Sequence, residues 1–184
     1  FIRNKADSGD SSAMYLYGTL FAIGQIVPKD PEKAIHYIKL SVDNDNPKAA
    51  ILYGNILRNE KNDPKEAFKY YRRAYESGIA DGMIKIGELL TLKEIRIDND
   101  AIDFIEKSAF YGEIEALKVY RYLVLNDKRL LNKLKNEADE GNIVAMRTFG
   151  YCVKDNDKNV SKRYLKNAVD NGDKLAKTFF DELK

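Results

Sequence analysis

The chain has 184 residues, of which 44% are apolar and 33% are charged, a balance that fits a folded protein with much surface for its core. Its 31 basic and 29 acidic residues are interspersed and leave a net charge of only +2. A nucleic-acid-binding protein usually gathers a basic excess on one face, so this balance argues against DNA or RNA as the main ligand.

Helical periodicity and capping residues predict two helices in each of several consecutive segments. In the first segment, an apolar helical face begins at Ala13 and the helix ends at Gly24. Asp30 and Pro31 then suit the start of a second helix, which fades at residue 43. Residues before 10 match the end of an earlier helix. Further helices are predicted over 47–59, 64–77, 81–92, 99–111, 113–126, 127–140, 142–154, 157–171 and from 173 to the end.

A small residue followed by glycine five positions later recurs through the chain, and its copies lie 29 to 36 residues apart. This period is typical of a stacked array of helical repeats. Glycine inside a helix costs about 0.5–1 kcal/mol relative to alanine, so we expect it where two helix backbones must approach closely. The full copies are Ala13–Gly18, Ala49–Gly54, Gly82–Gly87 and Ala145–Gly150, while Ala116 and Ala176 begin copies that lose the glycine.

The repeats predict a single domain over residues 1–184, because stacked units share one continuous core. The predicted units are 11–46, 47–79, 80–112, 113–141, 142–172 and a partial unit, 173–184. In the fourth unit, Asn126-Asp127 replaces the long connection seen at 24–30. We predict a tighter hairpin there and a local change of superhelical curvature.

The segment 13–37 resembles the Sel-one-like (Sel1-like) repeat, a relative of the tetratricopeptide repeat. The positions that carry the resemblance are Gly18, Phe21, Gly24, Val27, Asp30, Lys33 and Ala34. It extends along the whole chain and is strongest before residue 112. The resemblance implies an all-α fold, a right-handed α/α superhelical solenoid of about five helix-pair repeats with partial repeats at both ends. It also implies that the first helix of each pair lines the concave groove.

The positions opposite the buried stripe of each first helix are the candidate partner-binding residues. Tyr15, Ile51 and Ile84 form an apolar row, which is typical of an interaction site, and the row turns cationic at Lys118 and Arg147. Each of these side chains could instead pack between repeats. The full candidate set is Tyr15, Thr19, Ile51, Asn55, Arg58, Ile84, Glu88, Lys118, Tyr122, Arg147 and Tyr151.

No residue pattern indicates catalysis, a cofactor or a metal. His36 has no second histidine or cysteine beside it, and Cys152 lies in an apolar helix, which favours a packed thiol. Asp98 and Asp100 begin an acidic run that lacks the glycine and glutamate of a calcium loop, so helix capping explains them better. Asn159 begins a glycosylation sequon, which matters only in a secreted protein.

One cysteine cannot form an internal disulfide, so we expect a reduced, cytoplasmic protein. No apolar run approaches the roughly 20 residues that cross a bilayer, and no signal-peptide pattern is present. Because the chain opens on Phe1 rather than Met, we expect it to be a piece of a longer protein.

The sequence therefore predicts a non-catalytic scaffold that binds a peptide or protein segment in its concave groove. The alternative is an RNA-binding helical repeat protein, because repeats of about this length can each read one base. The near-neutral charge opposes that alternative. An enzyme is the third possibility, and nothing in the sequence predicts the oligomeric state.

Overall fold

A computed structural model describes residues 1–96 and 98–183; Ile97 and Lys184, which fall in the third and the last predicted units, lie outside the described residues. The regular secondary structure of the described residues is entirely α-helical. Its helices match the predicted ones, with ends that differ by at most three residues. They are α1 (Ile2–Asp7), α2 (Ser11–Ile23), α3 (Pro31–Asp43), α4 (Pro47–Asn59), α5 (Pro64–Glu76), α6 (Asp81–Thr91), α7 (Asn99–Phe110), α8 (Ile114–Asn126), α9 (Lys128–Asp139), α10 (Ile143–Val153), α11 (Lys158–Asp170) and α12 (Lys174–Asp181).

The chain divides into two compact units, Phe1–Arg96 and Ile97–Lys184. Unit 1 contains α1 to α6, and unit 2 contains α7 to α12. Within each unit, every helix packs against the next one in the chain. The division falls in the connection between α6 and α7, inside the third predicted repeat, and the single domain expected from the repeats stays a prediction.

Aspartate or asparagine side chains start most of the helices, as the capping pattern predicts. The side-chain oxygen of each cap accepts a hydrogen bond from a backbone N–H in the first turn, which has no partner within the helix. These local signals explain why helix starts could be predicted so closely. The capping residues are Asp10, Asp30, Asn46, Asp63, Asp98, Asp127, Asn142, Asp157 and Asp173.

The turns that follow the second helices share one backbone conformation. After α5, Gly78 has a φ of 90°, and the N–H of Ile79 donates to the carbonyl of Ala74 at 3.0 Å. After α3, Asp45 takes the same place with a φ of 58°. This left-handed conformation is accessible to glycine and tolerated by aspartate, but it is unfavourable for other residues.

We expect Gly78→Ala to lower the free energy of unfolding by about 1–2 kcal/mol, the cost of left-handed backbone for an L-residue. No atom lies within 4 Å of the place where the new Cβ would stand, so a clash cannot cause the loss. Thermal melts should place the variant below the wild type, and the exposed control Glu76→Ala should stay within about 0.5 kcal/mol. Equal melting of both variants would show that the turn does not need glycine.

Glycines inside the first helices allow close helix pairing. A Cβ on Gly18 would lie 2.8 Å from Ile38, one on Gly54 would lie 2.5 Å from Tyr71, and one on Gly150 would lie 2.7 Å from Leu165. Each of these neighbours belongs to the second helix of the same pair. Close backbone approach therefore explains the glycine of these three pairs.

The fourth repeat departs from this arrangement. Arg121 of α8 stands where α2, α4, α6 and α10 have glycine, and α8 packs less extensively on α9 than α4 does on α5. Only Asp127 separates α8 from α9, so the predicted short hairpin is confirmed. The associated change of curvature stays a prediction.

Candidate functional site

The candidate residues of unit 1 lie on α2, α4 and α6, the first helices of successive pairs. Tyr15 and Ile51 are half-buried and pack against one cluster that includes Val42, Ala49 and Ala74. These two residues therefore belong partly to the core between repeats. Of the three residues of the predicted apolar row, Ile84 is exposed, whereas Tyr15 and Ile51 are half-buried.

Three large apolar side chains on these helices are well exposed, and one of them is Ile23 at the C-terminal end of α2, which is 59% exposed. Ile84 of α6 is 42% exposed, and Leu16 of α2, which the sequence analysis did not select, is 49% exposed. Leu16 was missed because one offset from the alanine was applied to every repeat, whereas the exposed residues in the first two turns of α2 are Ser12 and Leu16. We call the surface of Tyr15, Leu16, Thr19, Ile51, Asn55, Ile84 and Glu88 the first-helix face of unit 1.

An ion-pair network borders this face at the ends of α4 and α6. The guanidinium of Arg58 donates to both carboxylate oxygens of Glu94, at 2.8 and 2.6 Å, and to Glu88 at 2.9 Å. Lys85 donates to the other oxygen of Glu88 at 2.8 Å. Burial acts to raise the pKa of Glu88, but the hydrogen bonds from Lys85 and Arg58 outweigh it and lower this pKa. Arg58 and Glu88 thus hold neighbouring repeats together.

The side chains of two further candidates form hydrogen bonds within unit 1. The Asn55 side chain accepts a hydrogen bond from the hydroxyl of the buried Tyr71 at 2.9 Å. The Thr19 hydroxyl donates to the carbonyl of Leu16 at 2.7 Å, one turn earlier in α2. Both side chains are half-buried. Their polar groups fix local structure, which leaves Leu16 and Ile84 as the more accessible contacts.

A cavity of about 410 Å³ opens beside Tyr15 and Leu16, at the N-terminal ends of α2 and α4. Its apolar wall is formed by these two side chains and Pro47. The remaining lining residues are polar or charged: Ser11, Ser12, Asp45, Asn46 and Lys48.

In unit 2, the candidates on α8 remain accessible to different degrees. Lys118 is exposed and donates to Glu115 at 2.7 Å, one turn earlier in the helix. Tyr122 is half-buried.

The expected exposure of Arg147 and Tyr151 on α10 is wrong. Arg147 is only 7% exposed; it donates to the Asp173 carboxylate at 2.8 Å and to the carbonyl of Phe110 at 2.6 Å. Tyr151 is buried against Phe179 of α12, with ring centroids 4.7 Å apart.

A signal for this burial exists in the sequence. Arg147 is the only charged residue of Ile143–Val153, and a helix that is apolar on all sides is normally a buried one.

Of the residues considered for catalysis, metal binding or glycosylation, three are engaged in the fold and His36 is exposed. Cys152 is fully buried, and burial raises the pKa of its thiol to about 12, which leaves little reactive thiolate. Asp98 caps α7 by accepting from the N–H of Ala101 at 3.0 Å. The hydroxyl of Ser161, in the sequon, is buried and donates to the carbonyl of Gly150 at 2.7 Å. His36 is exposed beside Tyr37.

Within residues 1–96 and 98–183, no three His, Cys, Asp or Glu residues are grouped so that they could hold a metal ion. Every helix in the same residues is too short or too polar to cross a membrane.

Comparison with known proteins identifies the repeats. The profile of the Sel1 repeat matches residues 11–46 and 47–79, which are the first two predicted units and contain α2–α3 and α4–α5. No protein of curated function matches the chain in sequence.

Two solved structures are similar to the chain. One is a protective antigen of uropathogenic Escherichia coli that displays an SLR fold, with 20% identity and a TM-score of 0.51 over 99% of this chain. The chain spans 43% of that antigen's length. The other is a Sel1 repeat protein from Oxalobacter formigenes, with 23% identity and a TM-score of 0.47 over 92% of this chain and 76% of that one. The profile match confirms the Sel1-like resemblance for residues 11–79, and the similarity to the antigen confirms the all-α SLR fold.

Proposed function

We propose that this chain, which carries two consecutive Sel1 repeats and has the SLR fold, is a non-catalytic scaffold. In this proposal it holds a peptide or protein segment on the first-helix face of unit 1. Sel1 repeats generally serve as protein-interaction scaffolds. The buried thiol of Cys152 and the capping role of Asp98 support the non-catalytic part of the proposal.

The observation that carries the proposal is that apolar side chains are exposed on helices whose other residues pack in the core. Leu16 and Ile84 stay open to water, although Tyr15 and Ile51 beside them are half-buried in the core. Exposed apolar surface on a folded protein commonly marks an interaction site. The Arg58 network fixes α4 relative to α6, so the surface is already formed before a partner binds.

The first test is selection of binding peptides from a random 12-residue phage library, followed by titration of the selected peptides. We expect Ile84→Asp to weaken binding about fivefold or more, the effect of an interface residue worth roughly 1 kcal/mol. Its melting temperature should stay close to that of the wild type, because substitutions at exposed positions usually cost less than about 0.5 kcal/mol.

The matched control is Ile26→Asp, which changes a more exposed isoleucine, 78% accessible, in the connection between α2 and α3. It should bind the peptides as the wild type does. Ile51→Asp is unsuitable, because Ile51 packs on the core cluster and its loss would affect folding. Binding that is indifferent to Ile84, or a salt-sensitive preference for single-stranded RNA over every peptide, would contradict the proposal.

A further inference from the structure

The cavity beside Tyr15 and Leu16 differs from the rest of the first-helix face because it combines an apolar wall with charge. Tyr15, Leu16 and Pro47 form the apolar wall, and Lys48 stands at the same cavity. Leu16 is 49% exposed, so apolar surface of the protein is open to the incoming group. The cavity is continuous with the proposed binding surface, since Tyr15 and Leu16 belong to both.

The lining of this cavity carries one acidic and one basic residue, Asp45 and Lys48, and these two differ in their ion pairs. Asp45 is the acidic residue of the lining, and its carboxylate pairs with Arg73 at 2.6 Å. Among the described residues, the ammonium of Lys48 has no carboxylate within ion-pairing distance. Asp10 caps α2 by accepting from the N–H of Ala13 and does not line the cavity.

We infer that this cavity receives an apolar side chain of the partner segment and that an aspartate or glutamate next to that side chain contacts Lys48. The inference rests on the proposed function and specifies the partner's chemistry at one end of the first-helix face. Binding is favoured because the partner's apolar side chain leaves water and contacts Tyr15 and Leu16. The carboxylate contacts a lysine that forms no ion pair with the described residues, which favours acidic segments over basic ones.

The test selects peptides on three proteins from the same 12-residue library: wild type, Lys48→Glu and Lys61→Glu. Lys61→Glu is the matched control, because it makes the same charge change at an exposed lysine in the connection between α4 and α5. We expect the wild type and Lys61→Glu to enrich an acidic residue beside an apolar one. Lys48→Glu should lose that preference or exchange it for lysine and arginine.

Titration then measures the contact directly with one enriched peptide and its Glu→Gln or Asp→Asn counterpart. The acidic peptide should bind the wild type about two- to fivefold more tightly, as an exposed ion pair allows, and the advantage should shrink at high salt. Against Lys48→Glu the advantage should vanish. Leu16→Ser should weaken both peptides, because it removes part of the apolar wall.

The outcomes separate this inference from the proposed function. Peptides that need Ile84 but show no acidic preference, or that ignore Leu16, would overturn the inference and leave the proposed function standing. Failure to enrich any peptide that depends on Ile84 would overturn both. Sedimentation of the same proteins tests whether a second copy of the chain occupies the cavity instead. A dimer that Leu16→Ser dissociates would assign the cavity to that second copy and overturn the inference.

Discussion

Replacing Arg147 by methionine should lower the stability of the protein by about 3–5 kcal/mol, the usual cost of removing one partner of a buried ion pair. Arg147 and Asp173 are both almost fully buried, so the substitution leaves a carboxylate without its cation in the interior. The guanidinium also holds the carbonyl of Phe110 at 2.6 Å, and this connection joins α7, α10 and the start of α12.

Urea unfolding followed by circular dichroism measures this effect. Lys118→Met is the matched control, because Lys118 is the other predicted cation of unit 2 and is exposed. It should change stability by less than about 0.5 kcal/mol. Adding Asp173→Asn to Arg147→Met should recover part of the loss, since asparagine can still cap α12 but carries no buried charge. Similar stability of Arg147→Met and Lys118→Met would show that Arg147 faces solvent.

Gly54→Leu should destabilise the protein by about 1–3 kcal/mol or more through overpacking. A Cβ at this position would stand 2.5 and 2.8 Å from two ring carbons of Tyr71. The ring cannot move easily, because it is fully buried and its hydroxyl is bonded to Asn55. The α4 and α5 backbones would have to separate.

Gly54→Ala gives the sharper comparison, because helix propensity and packing predict opposite signs. Alanine favours an exposed helix over glycine by about 0.5–1 kcal/mol, so a rise in melting temperature would contradict the close approach of the helices. We expect a fall instead. Ala22→Leu, on the exposed side of α2, is the control for added bulk and should melt near the wild type.

The helices of this protein could be predicted from its sequence because their signals are local. Asp30 starts α3 and Asp63 starts α5 by accepting hydrogen bonds from backbone N–H groups three residues later. The glycine spacing predicted helix pairing, and the short connection at Asn126-Asp127 predicted the tight hairpin of the fourth repeat.

The binding face was predicted less well, because exposure depends on neighbours distant in sequence. Arg147 and Tyr151 occupy the same offsets in α10 as Ile51 and Asn55 do in α4, but α10 is enclosed by Phe179 and Asp173. A periodic pattern assigns the same direction to every copy of a repeat. Such a pattern cannot show that neighbouring residues cover α10 more completely than α4. The cavity near Leu16 also forms between residues about 30 positions apart, which no local pattern relates.

Site-specific photo-crosslinking tests the central proposal most directly. Benzoylphenylalanine placed at Ile84 should crosslink a selected peptide under light, because Ile84 lies on the first-helix face of unit 1. The same amino acid placed at Ile26 should give no adduct, although Ile26 is more exposed, at 78% against 42%. Adducts at Ile26 with none at Ile84 would contradict the account, because the partner would then bind away from the first helices.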